Sequence, residues 1–366
     1  MKIGILGTRG IPNHYGGFEQ FAQYLSTDLV QKGHEVIVYN SSLHPYQKKE
    51  YKGVGLIHCK DREDTLGSAG QFVYDLNCIL DSRKRDFDLI LQLGYTSSSI
   101  WNKFLPKNSL IVTNMDGLEW KRSKYNKLTQ LFLKVAERWA VDSSDYLVAD
   151  SIGIQKHLQT RFKKESAYIA YGSDIFSSAN NNILGSYQLN PHSYFLLIAR
   201  MEPENNIEMI LDGYVKSNNK QPFIVIGKVD NAFGKYLTEK FQSHSTIRFI
   251  GGVYNFDELN NLRYFSSLYF HGHSVGGTNP SLLEAMAASA QIAAHQNLFN
   301  ASILEEDAHY FANSEDVSQL LSSEKAKDRR DEMISNNLGK IREQFSWKKI
   351  INSYEDLFLK LAQNKN

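Results

Sequence analysis

Short apolar runs recur along the chain and alternate with stretches of helical spacing. In the first half, Lys2–Leu6, Glu35–Tyr39, Gly55–His58, Leu89–Gln92, Leu110–Asn114, Tyr146–Ala149 and Ser166–Ala170 have the β-rich make-up and turn-bounded length of strands. Between them, Gly17–Lys32, Ala69–Arg83, Asn126–Ala140 and Ile152–Arg161 read as helices. This alternation predicts an α/β fold in which crossover helices join the strands of a parallel sheet.

From Tyr171 to Ser193 the composition turns to Gly, Ser and Asn, including the run Ser177 to Asn182. Such a stretch has too little apolar surface for a core and predicts a linker or exposed loop. The pattern then restarts with strands at Tyr194–Ala199, Phe223–Ile226, Ile247–Ile250, Leu268–His271, Gln291–Ala294 and His309–Ala312. Helices are predicted at Asn206–Val215, Phe233–Phe241, Phe256–Tyr264, Pro280–Ala288, Ala301–Glu306 and Glu315–Leu321. Near the end, Trp347, Ile350, Ile351, Tyr354, Leu357, Phe358 and Leu361 fall by threes and fours on one helix face, which must dock on a partner surface. No short-period repeat is present. The predicted domains are therefore 1–180 and 190–345, with 346–366 as a terminal helix.

Composition narrows the function classes. At 366 residues the chain exceeds what one core usually organises. Lys plus Arg number 41 against 40 Asp plus Glu, so no global field attracts nucleic acid. Cys59 and Cys78 are the only cysteines and lack the spacing of a zinc or redox motif, which fits a reducing cytoplasm. The first apolar run is too brief for a secretory leader. No stretch approaches the roughly 18 apolar residues of a membrane span.

Two strand-to-helix junctions carry the chemistry. Gly7 to Glu19 contains Gly10, Tyr15, Gly16, Gly17 and Glu19, and its glycines would let backbone amides approach a phosphate or an acceptor. A merely tight turn would use the same glycines. The dinucleotide fingerprint Gly-x-Gly-x-x-Gly is absent, and the second strand ends in Tyr39-Asn40 without an acid for an adenosine ribose, which disfavours an NAD enzyme. The second junction runs from His271 to Ala287. There Thr278 or Asn279 can cap a helix that has Pro280 in its first turn, so amides around Gly277 to Asn279 suit a diphosphate. Glu284 lies just over one turn inside, within reach of a ribose. His271 and His273 share a strand face, but no third ligand has matching spacing, so they read as structural or donor-proximal.

The segment 271–287 resembles the nucleotide-sugar-binding motif of retaining glycosyltransferase family 4. That resemblance implies a GT-B fold, with two Rossmann-like domains facing a cleft and a C-terminal helix crossing back to the first. Glu284 matches the second glutamate of the family's Glu-x7-Glu motif, which implies ribose binding. The first glutamate falls at Gly276, where only a backbone amide could serve. Ala199 to Asn206 resembles the family's Gly-Arg-Leu-x-x-x-Lys-Gly motif. Arg200 matches the arginine on the donor diphosphate, while Asn205 stands in place of the lysine and Lys228 is the nearest substitute. From composition alone, Arg200 could equally pair with Glu202 or Glu204.

Val112 to Arg122, Tyr15 to Glu19 and Gly276 to Ser281 together resemble a bacterial subgroup that includes rhamnosyltransferases of surface-polysaccharide assembly. Asp116 then falls beside the transferred sugar and is the candidate catalytic residue. Asp116-Gly117 would also serve as a plain strand-ending turn. The implied donor is dTDP-L-rhamnose, with a UDP- or GDP-sugar as the alternative, and the acceptor a lipid-diphosphate-linked saccharide. Arg200 and helix N-termini meet the phosphate charge, so no metal is required. Lys121, Arg122, Lys124, Lys127 and Lys134 flank a stripe of Leu128, Leu131, Phe132, Val135 and Trp139. The 119–139 helix could rest on the anionic inner face of the cell membrane or could turn its stripe to the core. A sugar-nucleotide 2-epimerase and a silent sugar-nucleotide-binding subunit are the rival functions of the same fold.

Overall fold

The computed structural model describes residues 1–14, 16–122, 125–322 and 329–365. The chain forms two compact units. Unit 1 gathers residues 1–121, 125–171 and the segment from Trp347 onward, and unit 2 gathers 172–346 with residue 122.

In unit 1 the strands are β1 (Lys2–Leu6), β2 (Glu35–Ser41), β3 (Glu50–Tyr51), β4 (Val54–Cys59), β5 (Leu89–Leu93), β6 (Leu110–Asn114), β7 (Tyr146–Ala149) and β8 (Ala167–Tyr168). They align in the order β3-β4-β2-β1-β5-β6-β7-β8. Every pairing is parallel except β3 with β4, a short hairpin on the sheet edge. Helices α1 (Gly17–Gln31), α2 (Glu63–Leu66), α3 (Gly70–Ser82), α4 (Lys127–Ser143) and α5 (Ile152–Phe162) connect them. Central β5, Leu-Ile-Leu-Gln-Leu, is buried at every position, as a parallel strand covered on both faces must be.

Unit 2 has β9 (Phe195–Ile198), β10 (Phe223–Ile226), β11 (Ile247–Phe249), β12 (Leu268–His271), β13 (Ile292–His295) and β14 (His309–Phe311). Their order is β11-β10-β9-β12-β13-β14, parallel throughout. The helices are α6 (Ile207–Lys216), α7 (Ala232–Lys240), α8 (Phe256–Tyr264), α9 (Pro280–Ala287), α10 (Leu298–Leu304), α11 (Ser314–Ser322) and α12 (Arg330–Glu343). Phe195, Leu197, Phe223, Val225 and Phe270 on the sheet pack against Ile207, Ile210, Leu211 and Tyr214 of α6. Four helices in succession, α7 to α10, are capped by asparagine side chains: Asn231, Asn255, Asn279 and Asn297. Each such cap contributes about 1 kcal/mol by satisfying an amide of the first turn.

Several elements differ from the sequence expectation, the short helix α2 among them. Helix α10 starts at Leu298 rather than Ala301, because Asn297 accepts from the amides of Phe299 and Asn300 and so begins the helix earlier. Helix α12 and the hairpin strand β3 were not expected at all. The stretch 177–182 is exposed, yet Leu184 and Leu189 beyond it are buried in unit 2.

The terminal helix α13 (Trp347–Lys365) belongs to unit 1 and lies against α1. Trp347 stacks on Tyr24 with ring centres 4.5 Å apart, and Tyr354 meets Phe21 at 5.0 Å. Among the described residues no helix is long and apolar enough to cross a membrane.

Candidate functional site

In unit 2 the strand order reverses between β9 and β12: the chain steps outward from β9 to β11, then returns to the other side of β9. At such a reversal the loops leaving the carboxyl ends of the two strands part and open a crevice, the usual ligand position in open parallel sheets. The two motifs singled out in the sequence, Ala199 to Asn206 after β9 and Gly272 to Asn279 after β12, emerge on either side of this point.

Those two loops are stapled together. Asn206 Nδ2 donates to the Gly272 carbonyl at 2.7 Å, and the Ser274 amide and hydroxyl both donate to the Glu204 carbonyl, at 3.0 and 2.8 Å. A Cβ on Gly272 would stand 2.0 Å from the Asn205 carbonyl oxygen, so only glycine permits this approach. Asn205 is buried, and its Nδ2 donates to the Arg200 carbonyl at 2.8 Å. Its side chain thus steadies the loop that carries Arg200. The Arg200 residue is exposed. Lys228, in the loop after β10, is also exposed and holds its ammonium 5.6 Å from the centre of the Tyr254 ring.

At the start of α9, Asn279 Oδ1 accepts from the Ser281 amide at 2.9 Å and Pro280 occupies the first turn. The sequence expectation of Asn279 or Thr278 as cap resolves to Asn279, with Thr278 buried beside it. Gly277 lies partly exposed between Thr278 and Gly276. Gly276 has φ +135° with open space where a Cβ would go, a backbone that a glutamate would strain to adopt. Position 276 therefore offers its backbone amide in a conformation that favours glycine.

Glu284 extends from α9 toward Arg263 of α8, whose Nη2 donates to its Oε2 at 2.5 Å. Arg263 is only 1% exposed, and its Nη1 donates to Asn260 Oδ1 at 2.9 Å. Sequence reasoning missed Arg263. The available signal was a charged residue four positions after Leu259, on the same face of α8.

His271 and His273 stack with ring centres 4.4 Å apart. Burial pushes both imidazoles down. His273 reaches about 3, with the positive charges of Arg200 and Arg122 adding to the effect, and His271 is held well below its ordinary value. Both rings are therefore neutral near pH 7, so the positive charge of this edge comes from arginine. Among the described residues, no three His, Cys, Asp or Glu side chains are grouped to hold a metal ion.

Unit 1 has the same kind of reversal, between β1 and β5. Its glycine loop is internally satisfied: Glu19 Oε1 accepts from the Arg9 amide at 2.8 Å, Thr8 Oγ1 from Gly10 at 3.1 Å, and Asn40 Oδ1 from Ile11 at 3.1 Å. Three amides of the loop, those of Arg9, Gly10 and Ile11, are thus engaged within the protein, and a buried carboxylate, Glu19, sits among them. Gly16 is the extended residue before α1 and Gly17 its first residue. Tyr15 lies outside the described residues. Beside this loop Asp75 is buried and accepts from Ser97 Oγ at 2.5 Å; burial pushes its carboxyl up to about 6. The sequence reading did not single out this acid, which lies on the inner face of α3.

Asp116 follows β6 with φ +46°, a left-handed conformation uncommon outside glycine. Its amide donates to Asn114 Oδ1 at 3.0 Å, and Asn114 Nδ2 donates in turn to the Tyr354 hydroxyl of α13 at 2.9 Å. Nearby, burial pushes the Tyr171 hydroxyl well up, and the charge of Asp116 is the next contributor.

The 119–139 segment divides its residues. Leu133, Ala136, Glu137 and Ala140 form the buried face of α4, whereas Leu128 and Leu131 are 79% and 60% exposed. Lys134 and Arg161 lie over the Trp120 ring at 4.8 and 5.6 Å, so part of the basic surface is fixed by cation–π contact. Lys124 is outside the described residues.

Residues 1–174 match a family model described as Domain of unknown function (DUF1972). No curated protein sequence matches the chain. Solved structures do. Sucrose-phosphate synthase from Thermosynechococcus elongatus is 14% identical with a TM-score of 0.79, over 98% of each chain. HepE from Anabaena, in complex with UDP and glucose, is 15% identical with a TM-score of 0.76, over 98% of this chain and 100% of its own. WaaG, a glycosyltransferase involved in lipopolysaccharide biosynthesis, is 15% identical with a TM-score of 0.71, over 98% and 99%. The fold is therefore the one these proteins share, GT-B, with two Rossmann-like units in a single chain.

Proposed function

We propose that the chain is a retaining, nucleotide-sugar-dependent hexosyltransferase of glycosyltransferase family 4. Its donor nucleotide is assigned to the crevice of unit 2 where β9 and β12 part. The observation that carries this reading is the stapling of the Arg200 loop to the Gly272–Asn279 loop, which joins a guanidinium and a capped helix N-terminus at one strand reversal. A diphosphate suits that combination: the fork of arginine offers paired donors, and the amides before α9 carry the positive end of the helix dipole. Glu284, one turn further, is assigned to the pentose. HepE, of the same fold, has been solved with UDP-glucose bound, which supports a nucleoside diphosphate sugar as the donor class.

Within that class the preferred donor is dTDP-L-rhamnose, from the resemblance of residues 15–19, 112–122 and 276–281 to the rhamnosyltransferase subgroup; a UDP- or GDP-sugar is the alternative. The acceptor hydroxyl would attack from the face the diphosphate leaves, and Asp116 would stabilise positive charge developing on the transferred sugar. The scheme assigns the phosphate charge to Arg200 and α9, and it calls for no divalent cation.

A thermal-unfolding panel of dTDP-, UDP- and GDP-sugars tests the donor. One class, present at a hundredfold excess over its Kd, should stabilise the protein by about 2.7 kcal/mol. A melting temperature unmoved by all three would overturn the reading.

The acceptor in this proposal is a lipid-diphosphate-linked saccharide at the cytoplasmic membrane face. Exposed Leu128 and Leu131, with exposed Lys127 beside them and the buried face of α4 opposite, support a peripheral contact with anionic lipid. Flotation with vesicles containing anionic lipid is expected, and replacing both leucines by serine should weaken it more than about tenfold, since each buried leucine is worth roughly 1.5–3 kcal/mol. Equal flotation of the variant would remove this surface from the scheme.

A further inference from the structure

Cys59 and Cys78, the chain's two cysteines, are too far apart in sequence to form a motif, but the fold brings them together. Cys59 ends β4, and Cys78 lies on the buried side of α3, which packs on that strand. Both belong to one apolar cluster with Tyr39, Tyr74, Ile79 and Phe87. Within it the two thiols hydrogen-bond to each other. A cysteine in a core usually serves as a small apolar residue. Two of them on separate elements, meeting sulfur to sulfur, satisfy the geometric condition for a disulfide as well, which residues selected for size alone need not.

The partners are not equivalent. The bond from Cys78 holds the Cys59 thiol below its ordinary range, and the Arg85 guanidinium acts in the same direction. Burial pushes the Cys78 thiol well up. Cys59 also keeps 7% of its surface exposed against 1% for Cys78, so it is the sulfur a reagent meets first.

We propose that Cys59 and Cys78 form a reversible disulfide when the protein meets a hydroperoxide, and that this bond staples α3 to β4 beside the strand reversal of unit 1. The Cys59 thiolate attacks one peroxide oxygen, the O–O bond breaks, and water leaves, which oxidises Cys59 to a sulfenic acid. The Cys78 sulfur gives up its proton and attacks the Cys59 sulfur, and the hydroxyl departs with that proton as a second water. Two electrons have passed from the pair of sulfurs to the peroxide, and a dithiol restores both thiols by exchange. A hydroperoxide is the oxidant class because its smallest member is little larger than water, which suits a sulfur with so little surface exposed. The place of the bond gives it an effect. One turn before Cys78, the Tyr74 hydroxyl donates to the carbonyls of Thr8 and Tyr39, both at 2.8 Å, and Asp75 accepts from Ser97. Helix α3 thus touches the loops that follow β1 and β5, and fixing it to β4 stiffens this edge of unit 1. The inference does not depend on the donor assignment in unit 2.

The test is exposure of the native wild-type protein to hydrogen peroxide, followed by alkylation and peptide mapping. Cys59 and Cys78 should appear as one linked pair within a monomer, and dithiothreitol should return both thiols. Closing a loop of about 20 residues should shift the folded-to-unfolded ratio of unit 1 about a hundredfold toward the folded side, read as a higher denaturant midpoint by tryptophan fluorescence. Cys78→Ala keeps a small apolar residue in the cluster and should stop at a Cys59 sulfenic acid that dimedone traps, whereas Cys59→Ala should react more than about tenfold more slowly. Thiols that stay intact, oxidation past the sulfenic acid without a bridge, linkage between molecules, or a bridged form with a lower midpoint would each overturn the proposal. Should either alanine variant fail to fold, the wild-type reactions still decide.

Discussion

Asp116→Asn is expected to lower turnover about a hundredfold while leaving donor affinity within about threefold. The substitution is unusually clean. Asp116 has φ +46°, and asparagine is among the few residues that accept this left-handed conformation with little strain, so the turn should survive. The amide that donates to Asn114 Oδ1 is backbone and is untouched. What disappears is the negative charge, and in the proposed reaction that charge matters only when the sugar becomes cation-like. Full turnover in the asparagine variant, measured with a labelled donor, would leave Asp116 as a turn residue and move the electrostatic role elsewhere.

Tyr354→Ala should destabilise unit 1 by about 3–5 kcal/mol, the range for emptying a large aromatic site. Tyr354 is fully buried against Phe21 and Phe358, and its hydroxyl accepts from Asn114 Nδ2, which alanine would leave without that acceptor. Tyr354→Phe keeps the ring and should cost only about 1 kcal/mol, the usual net value of one hydrogen bond. The phenylalanine variant still loosens Asn114, whose other side-chain atom holds the Asp116 amide, so a drop in turnover without much loss of stability is expected. The chain's four tryptophans, 101, 120, 139 and 347, all lie in unit 1. Denaturant unfolding followed by tryptophan fluorescence therefore reports this unit, and an unshifted midpoint for the alanine variant would contradict the packing described.

The strands were the most legible part of the chain because the parallel sheets are covered on both faces. Leu89 to Leu93 is a continuous apolar run broken only by Gln92, and its length excludes a buried helix. Helix α12 was not legible: buried Asn337 falls where its periodicity needs an apolar residue, and its Nδ2 donates to the Asp307 carbonyl at 2.8 Å, a bond that no local pattern announces. Similar reasons divide the site. Arg200 and the 276–284 stretch stand out as local motifs, since a helix start with its cap is written in consecutive residues. That Asn205 turns onto the Arg200 carbonyl, that Glu19 fills the glycine loop, and that Arg263 holds Glu284 are facts of tertiary packing between segments up to 21 residues apart.

The placement of α13 sets an order on how the molecule can be made. During synthesis unit 1 lacks the helix that covers Phe21, Tyr24 and Asn114 until α13, which follows unit 2 in the chain, leaves the ribosome. Unit 2, contained almost wholly within 172–346, has every strand and helix of its own by then. Unit 1 is thus begun before unit 2 and completed after it, and the nascent protein carries an uncovered aromatic face while unit 2 is being made.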